Sequence, residues 1–182
     1  MINVVFILDE TGSMELNKVE TIQAFNTYIK ELKKHKKAKD IRFTLTRFNS
    51  SKVDIYYDKV KLSKVKELTD YSPNNMTPLY DAIGKTITDM HTDKCIVAIL
   101  TDGEENCSRE YTFLHIKALI EEKKVHGWEF NFLATGLEHN RVANTGRLLD
   151  INTYSGASSA KLSNVFYLNT LSYIDTDLNS LE

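Results

Sequence analysis

Two stretches of the sequence are unbroken runs of apolar residues, and each ends in a turn that carries an aspartate. Residues 4–8 lead into Asp9, and residues 95–100 lead into Thr101 and Asp102. Strands that are apolar at every position are typical of a parallel sheet that helices cover on both faces. In such sheets ligands collect at the carboxyl ends of the strands, so the two aspartates are expected at a functional edge.

Helix-like and strand-like segments alternate along the chain, which is typical of an α/β fold. Apolar residues recur at three- and four-residue spacing from Leu16 through Val19 to Leu32, which predicts an amphipathic first helix. Alternating strands on either side of residues 49–51 predict an antiparallel hairpin. The other predicted elements are helices at residues 79–90, 113–125, 141–149 and 158–174 and strands at residues 130–134 and 153–154. The expected fold class is α/β, with a doubly wound, mostly parallel central sheet, one antiparallel edge strand and helices on both faces.

The composition fits one compact domain over residues 1–182, because a chain of 182 residues with 42% hydrophobic content can bury a full core. The net charge of −2 indicates no general attraction to nucleic acid or to a membrane. Residues 4–8 lack the basic flank of a secretory signal and are predicted to be a strand. Cys95 and Cys107 give no disulfide framework, so the cytoplasm is the expected compartment.

Side chains that carry oxygen follow the first strand at alternate positions. Asp9, Thr11 and Ser13 are spaced by two, so in an extended loop they can project to the same side. Gly12 allows a sharp turn into the following helix. Taken alone, this segment is equally compatible with an ordinary strand-to-helix turn in which Ser13 is the helix N-cap.

Two further segments have the same character. Thr77 precedes a helix, with Pro78 at the expected first helical position, and Asp102 ends a strand in a Thr-Asp-Gly turn. Each segment alone can be explained as a cap or a turn, but no such explanation covers the three together. We therefore expect one divalent metal site assembled from three loops.

The set of Asp9, Thr11, Ser13, Thr77 and Asp102 resembles the metal-ion-dependent adhesion site (MIDAS) of the von Willebrand factor A domain family. The order and spacing of the motifs match that family over nearly the whole chain. The chain resembles the small stand-alone bacterial or phage members of the family. The family usually has serine at the position of Thr11, and both residues offer a hydroxyl. The resemblance implies a metal-dependent protein–protein interaction module that holds Mg²⁺, or else Mn²⁺ or Ca²⁺, with these five residues.

The chemistry of the five side chains supports the same expectation. Mg²⁺ prefers octahedral oxygen coordination, and carboxylate and hydroxyl ligands favour Mg²⁺, Mn²⁺ or Ca²⁺ over softer metals. The three hydroxyls are neutral, so the ion stays electrophilic and can accept one more anionic oxygen. A Glu or Asp side chain of a partner protein would fit that position.

Other interpretations remain open from the sequence. Three acids beside the site are expected to be solvated loop charges: Glu10, Glu104 and Glu105. The alternative is that they raise the affinity for the metal or discourage some acidic partners by repulsion. A metal-dependent phosphohydrolase is the competing function, although Thr11 stands where Asp-x-Asp phosphatases have a second acid. A vestigial metal site is the third possibility.

A lysine cluster near the end of the first helix is expected to be a solvated face that complements the helix C-terminus, so no nucleic-acid partner is expected. Its members are Lys30, Lys33, Lys34, Lys36, Lys37 and Lys39. No membrane partner is expected either, and the sequence leaves the oligomeric state open.

Overall fold

The computed structural model describes residues 1–176. Within these residues, six strands form one sheet: β1 (Ile2–Asp9), β2 (Ile41–Asn49), β3 (Lys52–Lys61), β4 (Cys95–Thr101), β5 (Glu129–Ala134) and β6 (Asn152–Ser155). Five α-helices of the same part of the chain are α1 (Lys18–Lys33), α2 (Leu79–Ile87), α3 (Phe113–Val125), α4 (His139–Leu148) and α5 (Ser159–Thr176).

The strand order is β3-β2-β1-β4-β5-β6, and every neighbouring pair is parallel except the β2–β3 hairpin at one edge. The predicted α/β class with one antiparallel edge strand is confirmed. The chain order reverses between β1 and β4, which are neighbours with Leu8 opposite Leu100. Because parallel strands end at the same edge, Asp9 and Thr101 leave the sheet side by side at this reversal point.

Two hydrophobic cores cover the two faces of the sheet. Phe25 of α1 and Phe166 of α5 pack on Phe6 on one face. Helices α2, α3 and α4 pack on the other face, where Val5 and Ile7 are fully buried. This double cover explains why β1 is buried at all eight of its positions. None of the helices within residues 1–176 combines the length and the apolarity needed to cross a membrane.

The start of the first helix differs from the prediction. Residues Gly12–Asn17 form a 3₁₀ helix, and α1 begins only at Lys18. Leu16 and Val19 were predicted on the buried face, but they are 85% and 68% exposed. Leu16 lies in the 3₁₀ segment, whose three residues per turn move its side chain away from the buried stripe of α1, whereas Val19 lies in the first turn of α1 itself.

Two cap predictions were also wrong. Asn17 is the N-cap of α1, so Ser13 does not cap that helix. Pro78 lies at the N-cap of α2, one residue before the predicted first helical position. The side chains of Ser13 and Thr77 are therefore free of capping roles at these helices.

Gly146 is where α4 packs closely on the sheet. A methyl group here would lie 2.7 Å from Phe132 Cβ and 2.5 Å from Thr153 Oγ1. We expect Gly146→Ala to lower the free energy of unfolding by about 1–3 kcal/mol through overpacking, as measured by urea denaturation. Gly156→Ala is the control, because nothing lies within 4 Å of its added methyl. Equal stability of the two variants would contradict the prediction.

Candidate metal centre

Asp9 ends β1 and is fully buried. Its Oδ1 accepts a hydrogen bond from the Thr11 N–H (2.7 Å), and its Oδ2 accepts one from Thr101 Oγ1 (2.6 Å). The two donors belong to the turn after β1 and to the last residue of β4. The carboxylate is thus held between the ends of the two central strands.

Asp102 and Ser13 face each other across the same edge. Ser13 Oγ donates to Asp102 Oδ1 at 2.5 Å, and Asn17 Nδ2 donates to Asp102 Oδ2 at 3.5 Å. Thr11 Oγ1 lies 3.4 Å from Ser13 Oγ. Ser13 is exposed and Asp102 is half-buried, so this part of the set is open to solvent.

Thr77 joins the set through the loop that follows β4. The Thr77 N–H donates to Asn106 Oδ1 (2.8 Å), and the Asn106 N–H donates to the Thr77 carbonyl (3.1 Å). A methyl group on Gly103 would lie 3.0 Å from Thr77 Oγ1 and 3.7 Å from Ser13 Oγ. The hydroxyls of Thr77 and Ser13 therefore border the same glycine, and the structure brings the five predicted side chains to one edge of the sheet.

Backbone hydrogen bonds join the loops beneath these side chains. The Gly12 N–H donates to the Asn75 carbonyl (2.9 Å), and the Asn74 N–H donates to the Glu10 carbonyl (3.1 Å). With the Asn106 contacts, these bonds connect the turn after β1, the segment before α2 and the loop after β4. The three predicted loops form one hydrogen-bonded unit.

Both carboxylates of the set are poorly solvated. Burial raises the pKa of Asp9 to about 7, against the opposing hydrogen bonds from Thr101 and Thr11, and the charge of Asp102 adds to the rise. Burial also raises the pKa of Asp102. Within residues 1–176, no Lys, Arg or His forms an ion pair with either group. Two negative charges near each other without a cation are unfavourable in such a place.

The donor set fits a hard divalent cation. It has two carboxylates and three hydroxyls, with no sulfur or imidazole, which is the chemistry that Mg²⁺ and Ca²⁺ prefer. The part of the chain described by the structure contains no group of three or more His, Cys, Asp or Glu side chains that could hold a metal ion. A cation held here would therefore depend on the hydroxyls of Thr11, Ser13 and Thr77 as well as on the carboxylates.

Glu10 was expected to be a solvated loop charge, and this prediction was wrong. Its side chain is 2% exposed and forms a two-pronged ion pair with Arg47, with Nε–Oε2 3.0 Å and Nη2–Oε1 2.8 Å. The Ser72 N–H donates to Oε1 at 2.9 Å. Arg47 lies on the neighbouring strand β2 beside the end of β1, so its ion pair with Glu10 ties the turn after β1 to β2.

Glu105 is also structural, whereas Glu104 is exposed as predicted. The Glu105 carboxylate accepts hydrogen bonds from the backbone N–H groups of Tyr80 (2.9 Å), Cys107 (2.8 Å) and Ser108 (2.6 Å). It connects the start of α2 to the loop after β4. Glu104 pairs at the surface with Arg141 Nε at 3.1 Å.

Tyr71 is a supporting residue whose contact with the site the sequence did not show. It is buried, and its hydroxyl donates a hydrogen bond to the Asp9 carbonyl oxygen. The sequence gives Tyr71 the same status as other tyrosines, because only the three-dimensional path of residues 65–78 places its hydroxyl beneath β1.

Solved structures with the same architecture have low sequence identity to this chain. Proximal thread matrix protein 1 from the mussel byssus matches with a TM-score of 0.64 at 16% identity, over 92% of this chain and 46% of that chain. The von Willebrand factor type A protein from Catenulispora acidiphila gives 0.62 at 16% identity, over 94% and 42%. The ArnB paralog VWA2 from Sulfolobus acidocaldarius gives 0.61 at 16% identity, over 91% and 44%.

These similarities define the fold, which is that of the von Willebrand factor A domains. The chain spans less than half the length of each of the three structures. Another structure of the mussel protein has a zinc-occupied MIDAS motif and matches with a TM-score of 0.56 at 15% identity, over 92% of this chain and 46% of that chain. No family model matches the sequence, and no curated protein matches it.

The raised pKa of Asp9 predicts a pH dependence of the metal-free protein. Between about pH 4 and about pH 7 the unfolded chain has released a proton that folded Asp9 retains, so the free energy of unfolding should fall as the pH rises, by up to about 4 kcal/mol. Urea denaturation in chelator across this window measures the slope, and Asp9→Asn should reduce it. A slope that Asp9→Asn leaves unchanged would contradict the prediction.

Proposed function

We propose that this chain is a metal-dependent protein–protein interaction module. Asp9, Thr11, Ser13, Thr77 and Asp102 would hold Mg²⁺, with Mn²⁺ or Ca²⁺ as possible substitutes. When bound, the ion supplies a Lewis-acidic position that accepts a Glu or Asp carboxylate of a partner protein. The main support is the convergence of two poorly solvated carboxylates and three hydroxyls at one edge of the sheet, with no cationic side chain paired to either acid among residues 1–176.

The burial of the residues suggests different roles within the site. Ser13 is exposed and Asp102 is half-buried, so they lie on the side from which a partner approaches. Asp9 is fully buried and hydrogen-bonded to Thr101. This position suits an acid that offsets the charge of the ion from the buried side of the site, directly or through water. Thr11 and Thr77 are both buried and offer neutral oxygens. Neutral oxygens leave the ion electrophilic.

The zinc-occupied MIDAS of the mussel protein supports a divalent cation in this fold but not a particular metal. We propose further that the module is a single domain and works in the cytoplasm, where Cys95 and Cys107 remain thiols. A binding role is proposed over catalysis, because Thr11 takes the place of a second acid after β1 and no histidine or cysteine belongs to the five-residue set.

Titration calorimetry with Mg²⁺, Mn²⁺ and Ca²⁺ tests the metal site directly. We expect binding of one ion per chain that is lost in Asp9→Asn, with zero heat for all three ions as the contradictory result. Affinity capture in Mg²⁺ then tests the partner, which should be released by chelator. Turnover of a generic phosphoester that disappears in Asp9→Asn would instead support the phosphohydrolase.

A further inference from the structure

A cavity of about 290 Å³ adjoins the candidate metal centre. Ser13 and Asp102 are among the residues that line it, together with Leu16 and Leu137. The remaining lining residues are Asn17, Gly136, Glu138 and Ala157. The cavity therefore shares two residues with the proposed metal site and opens beside it.

The two leucines of this cavity are unusually exposed. Leu16 is 85% exposed and Leu137 is 87% exposed. Leu16 belongs to the 3₁₀ helix that displaces it from the core, and Leu137 follows Gly136, whose φ of +82° turns the chain there. A grouping of exposed apolar side chains beside a polar site is typical of an interaction surface.

The position of Leu137 is determined by close packing against the metal loop. A methyl group on Gly136 would lie 3.0 Å from Asp102 Cβ and 3.4 Å from Asn17 Nδ2. The backbone of this loop thus lies directly against the side chain of Asp102. Because of this contact, a side chain that enters the cavity lies next to whatever binds at Asp102 and Ser13.

We infer that the partner segment captured at the metal carries a large aliphatic residue, such as Leu, Ile or Met, within two residues of its Glu or Asp. This inference rests on the proposed function. In an extended segment, residues two apart point to the same side and are separated by roughly 6–7 Å, so a residue two positions from the acid can reach a cavity that adjoins the metal centre. A water-sized group occupies roughly 30 Å³, so the cavity of about 290 Å³ has more room than the few heavy atoms of one aliphatic side chain need.

Charge around the cavity also favours an apolar residue over a second acid. Glu138 lines the cavity, and its carboxylate would repel another carboxylate placed there. The acidic residue of the partner is therefore expected at the metal, and its neutral neighbour is expected between Leu16 and Leu137. The predicted ligand is a short acidic-aliphatic peptide segment of another protein.

A displayed library of random short peptides tests this inference. The wild-type chain is panned in Mg²⁺ and bound peptides are eluted with chelator. We expect the eluted peptides to be enriched in Glu or Asp with Leu, Ile or Met within two residues. A synthetic peptide of the enriched sequence should bind the double variant Leu16→Ser, Leu137→Ser roughly tenfold more weakly or worse, because its aliphatic side chain loses apolar contact area.

Leu114→Ser is the matched control, since Leu114 is 72% exposed on α3 and does not line this cavity. It should bind the peptide as the wild type does. Eluted peptides with an acid but no aliphatic preference, or equal binding by the double variant, would overturn the inference while leaving the metal-bridging function intact. No heat of Mg²⁺ binding, or no peptide released by chelator, would instead refute the proposed function and the inference with it.

Discussion

Asp9→Asn is expected to abolish Mg²⁺ binding and also to stabilise the metal-free protein at about pH 8. The amide cannot offset the charge of a cation, so the affinity for Mg²⁺ should fall at least about 100-fold. Loss of a residue that only supports a metal ligand already costs about 10- to 100-fold in metal affinity. Without metal, the fully buried carboxylate with its pKa of about 7 is ionised at that pH at a cost that the amide avoids. The gain in the free energy of unfolding should be on the order of 2–4 kcal/mol.

The local hydrogen bonds make this substitution tolerable. The oxygen of the introduced amide could still accept from the Thr11 N–H, and Thr101 Oγ1 keeps the Gly103 carbonyl as a partner at 3.1 Å. Calorimetry measures metal affinity, and urea denaturation in chelator measures stability. Asp54→Asn, an exposed position on β3, is the control and should change neither quantity. Wild-type Mg²⁺ affinity in Asp9→Asn would exclude Asp9 from the site.

Arg47→Met is expected to lower the free energy of unfolding by about 3–5 kcal/mol, because it leaves Glu10 buried without its ion-pair partner. The two side chains are only 3% and 2% exposed. The Ser72 N–H remains as a donor to Glu10, and Lys52 Nζ lies 3.8 Å away on a half-exposed side chain. Neither replaces two charge-assisted hydrogen bonds from a buried guanidinium.

A second variant separates loss of the ion pair from loss of packing. In the double variant Glu10→Gln, Arg47→Met neither charge of the buried pair remains, so a large part of the lost stability should return. Lys85→Met breaks the Lys85–Glu110 pair, which is as short (2.8 Å) but exposed, and should cost about 1 kcal/mol or less. Urea denaturation with an unchanged m-value measures all three variants. Equal losses in Arg47→Met and Lys85→Met would contradict the prediction.

The sheet could be predicted from sequence because its strands carry strong local signals. Residues 4–8 and 95–100 are apolar at every position, and this pattern follows from the burial of β1 and β4 on both faces. The β2–β3 hairpin was predictable because alternating residues flank a short turn. The first helix was predicted too early, since periodicity does not distinguish a 3₁₀ turn from the helix that follows it.

The five candidate ligands were also accessible from sequence, because Asp9, Thr11, Ser13 and Asp102 follow apolar strands that share an edge, and Thr77 completes the motif that the family resemblance supplied. Their supports were not. Arg47 reaches Glu10 from the neighbouring strand, and Tyr71 reaches the Asp9 carbonyl across 62 positions of the sequence. Such contacts depend on strand order and loop path rather than on local pattern. For the same reason the sequence could not show that Leu16 would be left exposed next to Asp102.

The bonds between Gly12 and Asn75 and between Asn74 and Glu10 have a consequence for exchange of the ion. Because these loops are already ordered through their own backbones, capture of a cation would not require the entropy loss of immobilising them. Loading and stripping of the metal should then be rapid and repeatable, with the circular dichroism spectrum unchanged in chelator. The occupancy of the site would then follow the concentration of free Mg²⁺, while the folded structure stays the same with and without the ion.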